Sequence, residues 1–205
     1  YEENMEKIGD DKVSAIYVTK IDGNAVNLLG YNSYHAEILD GIADNIAPEA
    51  VAGSGLGDQY TMEDIFQMNP DYIIVSGSGL FDHDYYNEIM GSDMWAALPA
   101  VQEGRVIESP ADAPWAWMGN PPASHRLVSI LWLGNIFYPD VFDYDLEEKV
   151  KEFYSMFYNY ELSDEEYAEM LKYATGNAEQ TASSPAPVLG IIAGLAAVYL
   201  WKRKE

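Results

Sequence analysis

Apolar positions fall into short runs separated by polar stretches rich in glycine, proline, asparagine and aspartate, and the repeat within the runs switches between strand-like and helix-like spacing. Residues 13–19, VSAIYVT, are β-branched and aromatic with brief polar interruptions and predict a strand buried on both faces. A loop over 20–29, broken by Asp22, Gly23 and Asn24, leads to a helix over 33–43 with Ala36, Ile38, Leu39 and Ile42 inward and Asn32 or Ser33 as cap. A short strand candidate lies at 50–52. Thr61 and Asp64 have capping-box spacing and open a helix over 62–68, which Asn69 and Pro70 terminate. The runs YIIVS at 72–76 and RVIE at 105–108 predict two more strands, with helical segments at 81–90 and 95–98 between them. This alternation predicts an α/β class: a Rossmann-like lobe with a short parallel sheet flanked by helices.

From Leu127 the apolar residues Val128, Ile130, Leu131, Leu133, Ile136 and Phe137 leave little polar face, so this helix is expected in the core. Pro121 and Pro122 place its start near Ala123, Ser124 offers a cap, and Pro139 stops it. Helices over 146–158 and 163–173 follow, the second opened by another capping box, Ser163 with Glu166. The loop ahead of the core helix carries Trp115, Trp117, Met118, Asn120 and His125. In open α/β sheets ligands sit beyond the carboxyl ends of strands, where large flat side chains suit a large, partly apolar ligand. The same two tryptophans would equally well close a hydrophobic core.

Several segments together carry a family likeness: AIYVTKIDGNAVNLLGYNSYHAEILDGIADNIA, SGLGDQYTMEDIFQMNPDYIIVSGSGL, and the run from Trp115 through PPASHRLVSILWLGNIFYPDVF to EFYSMFYNYELSDEEYAEML. Over residues 13–171 the chain resembles the C-terminal lobe of the substrate-binding proteins that serve ABC importers of ferric siderophores, haem and cobalamin. The resemblance implies two α/β lobes joined by a rigid helix, with residues 1–10 as the end of that helix and 11–174 as the second lobe. It implies a metal-chelate ligand held between the lobes, delivery to ABC permease subunits, no cofactor and no enzymatic activity. The expected ligand-binding residues are Asn24, Tyr31, Asn32, His35, Trp115, Trp117 and Arg126. His35 reads equally as a solvated helix residue, and Arg126 either meets a ligand carboxylate or braces its loop.

Composition narrows the alternatives. The 205-residue chain has a net charge of -23, which repels nucleic-acid phosphates and anionic lipid and excludes a nucleic-acid partner. It has no cysteine, so disulfides and thiol chemistry are absent. The glycine-rich GSGLGD lacks the Lys-Ser or Lys-Thr ending of a phosphate loop. Asp82, His83 and Asp84 are potential metal ligands, yet adjacent residues at a helix start point in different directions. A metal-dependent enzyme drawing on Asp82, His83, His35 and His125 would lack both a zincin spacing and a Gly-x-Ser-x-Gly elbow. It stays as an alternative beside a metal-ion or oxyanion binder and a surface scaffolding domain.

The opening YEENMEKIG has neither an initiator methionine nor signal-peptide regions, and reads as a fragment or a processed form. Residues 175–187, TGNAEQTASSPAP, predict a flexible linker. The apolar run 188–201 before the basic end 202–205 predicts a transmembrane helix anchoring the protein at the cell surface, its basic end cytoplasmic. The tail also resembles the tripartite sorting tails of archaeal surface proteins, with Pro185-Ala186-Pro187 in place of their Pro-Gly-Phe type signature.

Overall fold

The first predicted strand is longer than its hydrophobic run and turns back on itself. In the computed structural model, which describes residues 1–53, 55, 57–77, 83–111, 116–118 and 124–176, α1 (Glu2–Ile8) leads into β1 (Ser14–Asp22). Gly23, at φ 61°, and Asn24 then form a tight turn into β2 (Ala25–Leu28). The segment read as a loop is therefore half of an antiparallel hairpin. Its alternation, with Val26 and Leu28 buried between half-buried Ala25 and Asn27, spans only four residues.

The sheet runs β4-β2-β1-β5-β6, where β4 is Asp58–Thr61, β5 is Tyr72–Val75 and β6 is Val106–Glu108. The two-residue β3 (Asp44–Asn45) pairs with the start of β1. β3, β5 and β6 lie parallel in the sheet with β1, whereas β2 is antiparallel to β1 and β4 antiparallel to β2. The sheet is thus mixed, not all-parallel, because a two-residue turn can only join antiparallel strands. The strand candidate at 50–52 is not in it.

Alternation along β1 divides the core. Ala15 and Tyr17, with Ile74 and Ile107, face the layer of α2 (Glu37–Ile42), α6 (His125–Phe137) and α7 (Leu146–Tyr158). Ile16 and Val18, with Ile73, Val75 and Val106, face α3 (Met62–Met68), α4 (Asp84–Gly91), a 3₁₀ turn at Trp95–Ala97 and α5 (Pro99–Gln102). α6 packs into the core through Val128, Leu133 and Phe137, with Ser129, Trp132 and Gly134 also buried, whereas Ile130, Leu131 and Ile136 are half-buried and Leu127 is exposed. Ser124 does not cap it with its side chain; that hydroxyl lies 3.2 Å from the Tyr158 hydroxyl. α2 is shorter than its pattern, since the left-handed Asn32 (φ 62°) and the turns after it delay the helix to Glu37.

Both capping boxes form, at Thr61/Asp64 and at Ser163/Glu166, the latter opening α8 (Asp164–Met170). The Thr61 backbone N–H, and then its hydroxyl, hold the Asp64 carboxyl below its usual range. A depressed carboxyl favours the folded state above the ordinary carboxylate range, and that contribution is lost as pH falls through the lowered pKa. Replacing Thr61 with alanine is expected to cost about 1 kcal/mol, read as a lower urea midpoint at unchanged slope.

After α8 the chain covers the outer edge of β6: Glu108 donates its N–H to Tyr173 O at 2.8 Å, and the Trp132 indole donates to Ala174 O at 2.7 Å. Gly176, at φ 63°, packs where a Cβ would lie 2.8 Å from Gly104 O, so the first residues assigned to the linker belong to the folded body. The rest of the linker, the apolar run 188–201 and the basic end lie outside the described residues, as do Trp115, Asn120 and Asp82. Among the described residues no helix is long and apolar enough to cross a membrane, and the expected transmembrane helix finds no support there.

Candidate functional site

β2 ends at Leu28, and after Leu29 the chain leaves the sheet through Gly30. A Cβ at Gly30 would sit 1.9 Å from Pro48 O and 2.9 Å from Ala50 N, so only glycine lets residues 30 and 48–50 come together. Two backbone bonds join the strips: Tyr31 N–H to Ala47 O at 3.5 Å and Ala50 N–H to Tyr31 O at 3.0 Å. Asn32 is held by both of its ends, its N–H donating to Asp40 Oδ2 at 2.8 Å and its amide to Glu49 Oε1 at 3.1 Å. Asp40 also accepts from the buried Asn45 amide at 2.8 Å, and that amide reaches Leu29 O at 3.2 Å. These bonds fix a bent segment without regular secondary structure.

The bend creates two concavities that share Asn32. One, about 750 Å³, lies toward the amino end of β1 and is lined by Tyr31, Asn32, Asp10, Lys12, Asp44 and Asn45 among others. The other, about 370 Å³, is lined by Asn32, Tyr34, His35, Glu49, Val51 and Gly53 among others. Both fall in the range of small-molecule sites. Tyr31 is 42% and Tyr34 63% exposed, so two phenol rings stand at the rims. His35 packs edge-on against Tyr34, with centroids 5.5 Å apart, and its backbone N–H donates to Ser33 Oγ at 3.4 Å.

Three of the expected residues, Tyr31, Asn32 and His35, are therefore brought together. The others are not. Asn24 is exposed in the hairpin turn and lines neither concavity. Trp115 lies outside the described residues. Trp117 is 1% exposed, set edge-to-face against Trp132 with its indole N–H donating to Tyr154 at 3.2 Å, and so offers no face to a ligand. This is the core-closing role, and it corrects the expectation of a binding indole. Arg126 braces: its guanidinium pairs with Glu37, donates to Tyr34 O at 2.6 Å and lies 4.8 Å from the centre of the Tyr34 ring. Tyr34, Glu49 and Val51 were missed by sequence reasoning. Tyr34 was visible as the second aromatic of the YNSYH run, whereas Glu49 and Val51 reach the site only through the bend at Gly30.

A second polar cluster lies at the carboxyl end of β6. The buried Glu108 carboxylate is 2.7 Å from His83 Nδ1, and the half-exposed His83 ring lies 4.1 Å from that of Tyr173. Its partner is 25 residues away, so the local Asp82-His83-Asp84 pattern concealed it. His83 is left-handed at φ 49°. Burial, followed by the charge of Glu108, pushes the Tyr86 hydroxyl pKa up. His83→Ala is expected to lower stability by roughly 1–3 kcal/mol, because it removes a partner from a buried carboxylate; thermal unfolding reads the loss. No group of three or more histidine, aspartate or glutamate side chains able to hold a metal ion occurs among the described residues.

Comparisons with known proteins agree with this architecture. Among solved structures, an ABC transporter solute binding protein from Sulfurospirillum deleyianum aligns with a TM-score of 0.72 and 26% identity over 83% of this chain and 51% of its own. A periplasmic solute binding protein from Veillonella parvula aligns at 0.62 and 25% identity over 87% of this chain and 52% of its own. The molybdate periplasmic binding protein of Haemophilus influenzae, at 0.59 and 21% identity over 78% and 47%, shares the fold. The chain spans about half the length of these relatives. None of the three names an archaeal source, so the archaeal reading of the tail finds no support in them. No curated protein matches the chain. Residues 1–113, which hold the α1 lead-in, the hairpin, the bend at Gly30 and the sheet through β6, match the family described as periplasmic binding protein, and the chain belongs to that family.

Proposed function

We propose that this chain is one lobe of the extracytoplasmic substrate-binding component of an ABC importer. It captures a metal chelate, of the ferric siderophore, haem or cobalamin type, in a crevice between two lobes and passes it to the permease. The observation that carries this reading is the pair of concavities around Asn32, rimmed by the exposed Tyr31 and Tyr34 and lined by His35. Family membership supports the class, and two relatives at 25% identity or more are solute binding proteins. The phenol rings favour a ligand with apolar parts over a bare oxyanion such as molybdate, because they offer flat apolar area with one polar edge. Asn32 is already bonded at its amide, so it holds the rim in shape while His35 and the tyrosines meet the solute. In this reading the apolar run 188–201 tethers the protein to the membrane.

Titration of the full chain with a ferric hydroxamate, a ferric catecholate, haem and cyanocobalamin, followed by tryptophan fluorescence, tests the proposal. One of the four is expected to bind saturably, and Tyr31→Ala and His35→Ala are each expected to weaken it about tenfold. Silence across the panel would remove the metal-chelate reading, and variants that bind as tightly as the parent would remove the concavities around Asn32 as its site.

A further inference from the structure

The first residue of α6, His125, is 0% exposed. Its ring sits in a box of α7 side chains, with centroids 5.3 Å from Phe153, 6.2 Å from Tyr154 and 5.2 Å from Tyr158. Nδ1 lies 3.3 Å from the Tyr158 hydroxyl, itself 3.2 Å from Ser124 Oγ, while Nε2 has no hydrogen-bond partner among the described residues. Each proton is used once if Ser124 donates to Tyr158 and Tyr158 donates to Nδ1, which leaves the neutral ring protonated on Nε2. A second proton would have to enter at Nδ1, against a hydroxyl already donating there.

The surroundings do not favour a charge. Among the described residues, the polar and titratable groups at the ring are Tyr154 and Tyr158 from α7, with Ser124 behind the Tyr158 hydroxyl, and the residue after His125 is the cationic Arg126. No carboxylate contacts the ring among the described residues. Burial accordingly pushes the His125 pKa down from its usual value.

The same junction anchors the neighbouring loops. Ser129, one turn on, donates to Trp117 O and lies 3.0 Å from His125 O, and the Trp117 indole is bonded to Tyr154. Arg126 ties the first turn of α6 to Tyr34 and Glu37, beside the smaller concavity. Opening the box would therefore release residues 116–118 and the Tyr34–Glu37 turn together.

We propose that His125 is a pH-sensitive latch: neutral, it closes the α6–α7 junction, and on taking up a proton it leaves the aromatic box and loosens both anchored segments. Above the ordinary histidine pKa the open and closed states are both neutral and the latch is indifferent to pH. As pH falls below that value the open state binds a proton that the closed state resists, so the closed state loses ground. Acid then weakens solute retention, a consequence that rests on the proposed function; the latch itself does not.

The test needs no solute. The C–H resonances of the three histidines of the full chain are titrated by NMR, and urea midpoints are compared at about pH 7.5 and about pH 5 for the parent and His125→Phe. His125 is expected to titrate below the ordinary histidine value, and acidification is expected to shift the midpoint downward more in the parent than in the variant. Relief of the charge repulsion from a net -23 is common to both proteins, so the difference isolates the latch. A His125 that titrates at or above the ordinary histidine value, or equal midpoint shifts, would overturn the proposal. If His125→Phe does not fold, the titration of His125 in the parent decides alone.

Discussion

Replacing Trp117 with alanine is expected to destabilise the protein by about 3–5 kcal/mol, among the largest effects of any single truncation here. The side chain is sealed between the sheet and the α6–α7 layer, edge-to-face with Trp132 at 5.9 Å, and its removal leaves a cavity that rigid neighbours cannot close. It also takes away the indole donor of the Tyr154 hydroxyl. Trp117→Phe, which keeps most of the volume, is expected to lose less, since only the hydrogen bond and part of the packing disappear. Urea unfolding followed by circular dichroism separates this from a ligand role. A Trp117→Ala protein with an unchanged midpoint and impaired solute binding would return the residue to the crevice.

Gly30→Ala should have the second large effect, and it acts on shape. The added Cβ would meet Pro48 O and Ala50 N, both backbone atoms that no side-chain rotation can move aside. The strip carrying residues 47–50 must shift, breaking the bonds from Tyr31 N–H and to Tyr31 O and unseating Asn32 from Glu49. The cost is expected at about 1–3 kcal/mol, with the solute that binds the parent lost at temperatures well below the melting transition. Binding that survives with parental affinity would show that the concavities around Asn32 are not where the solute sits.

Strands were legible in proportion to how locally their signal was written. YIIVS and RVIE are continuous apolar runs, and they became β5 and β6 within a residue or two. β2 was not seen because a four-residue alternation, interrupted by an asparagine that faces half outward, falls below what periodicity can separate from a loop. β3, two residues long, has no pattern at all and exists because Asp44 N–H finds Val13 O and Ile46 N–H finds Ala15 O. The site was legible to a similar degree. Tyr31, Asn32 and His35 share one short stretch and stayed together, whereas Trp117 looked like a ligand platform until its partner 37 residues later claimed it.

Taken alone, the amino-acid order determined what depends on neighbours within a turn or two: the α/β class, the apolar girth of α6, and the capping boxes at Thr61 and Ser163, because helix ends and hydrophobic periodicity are satisfied inside short windows. Tertiary structure decided what depends on which distant groups meet. It set the antiparallel edge of the sheet, the burial of Trp117, the pairing of His83 with Glu108, and the aromatic box around His125. Each is a choice between partners chemically available in many places along the chain, and only the packing of two helical layers onto one sheet makes a single partner reachable.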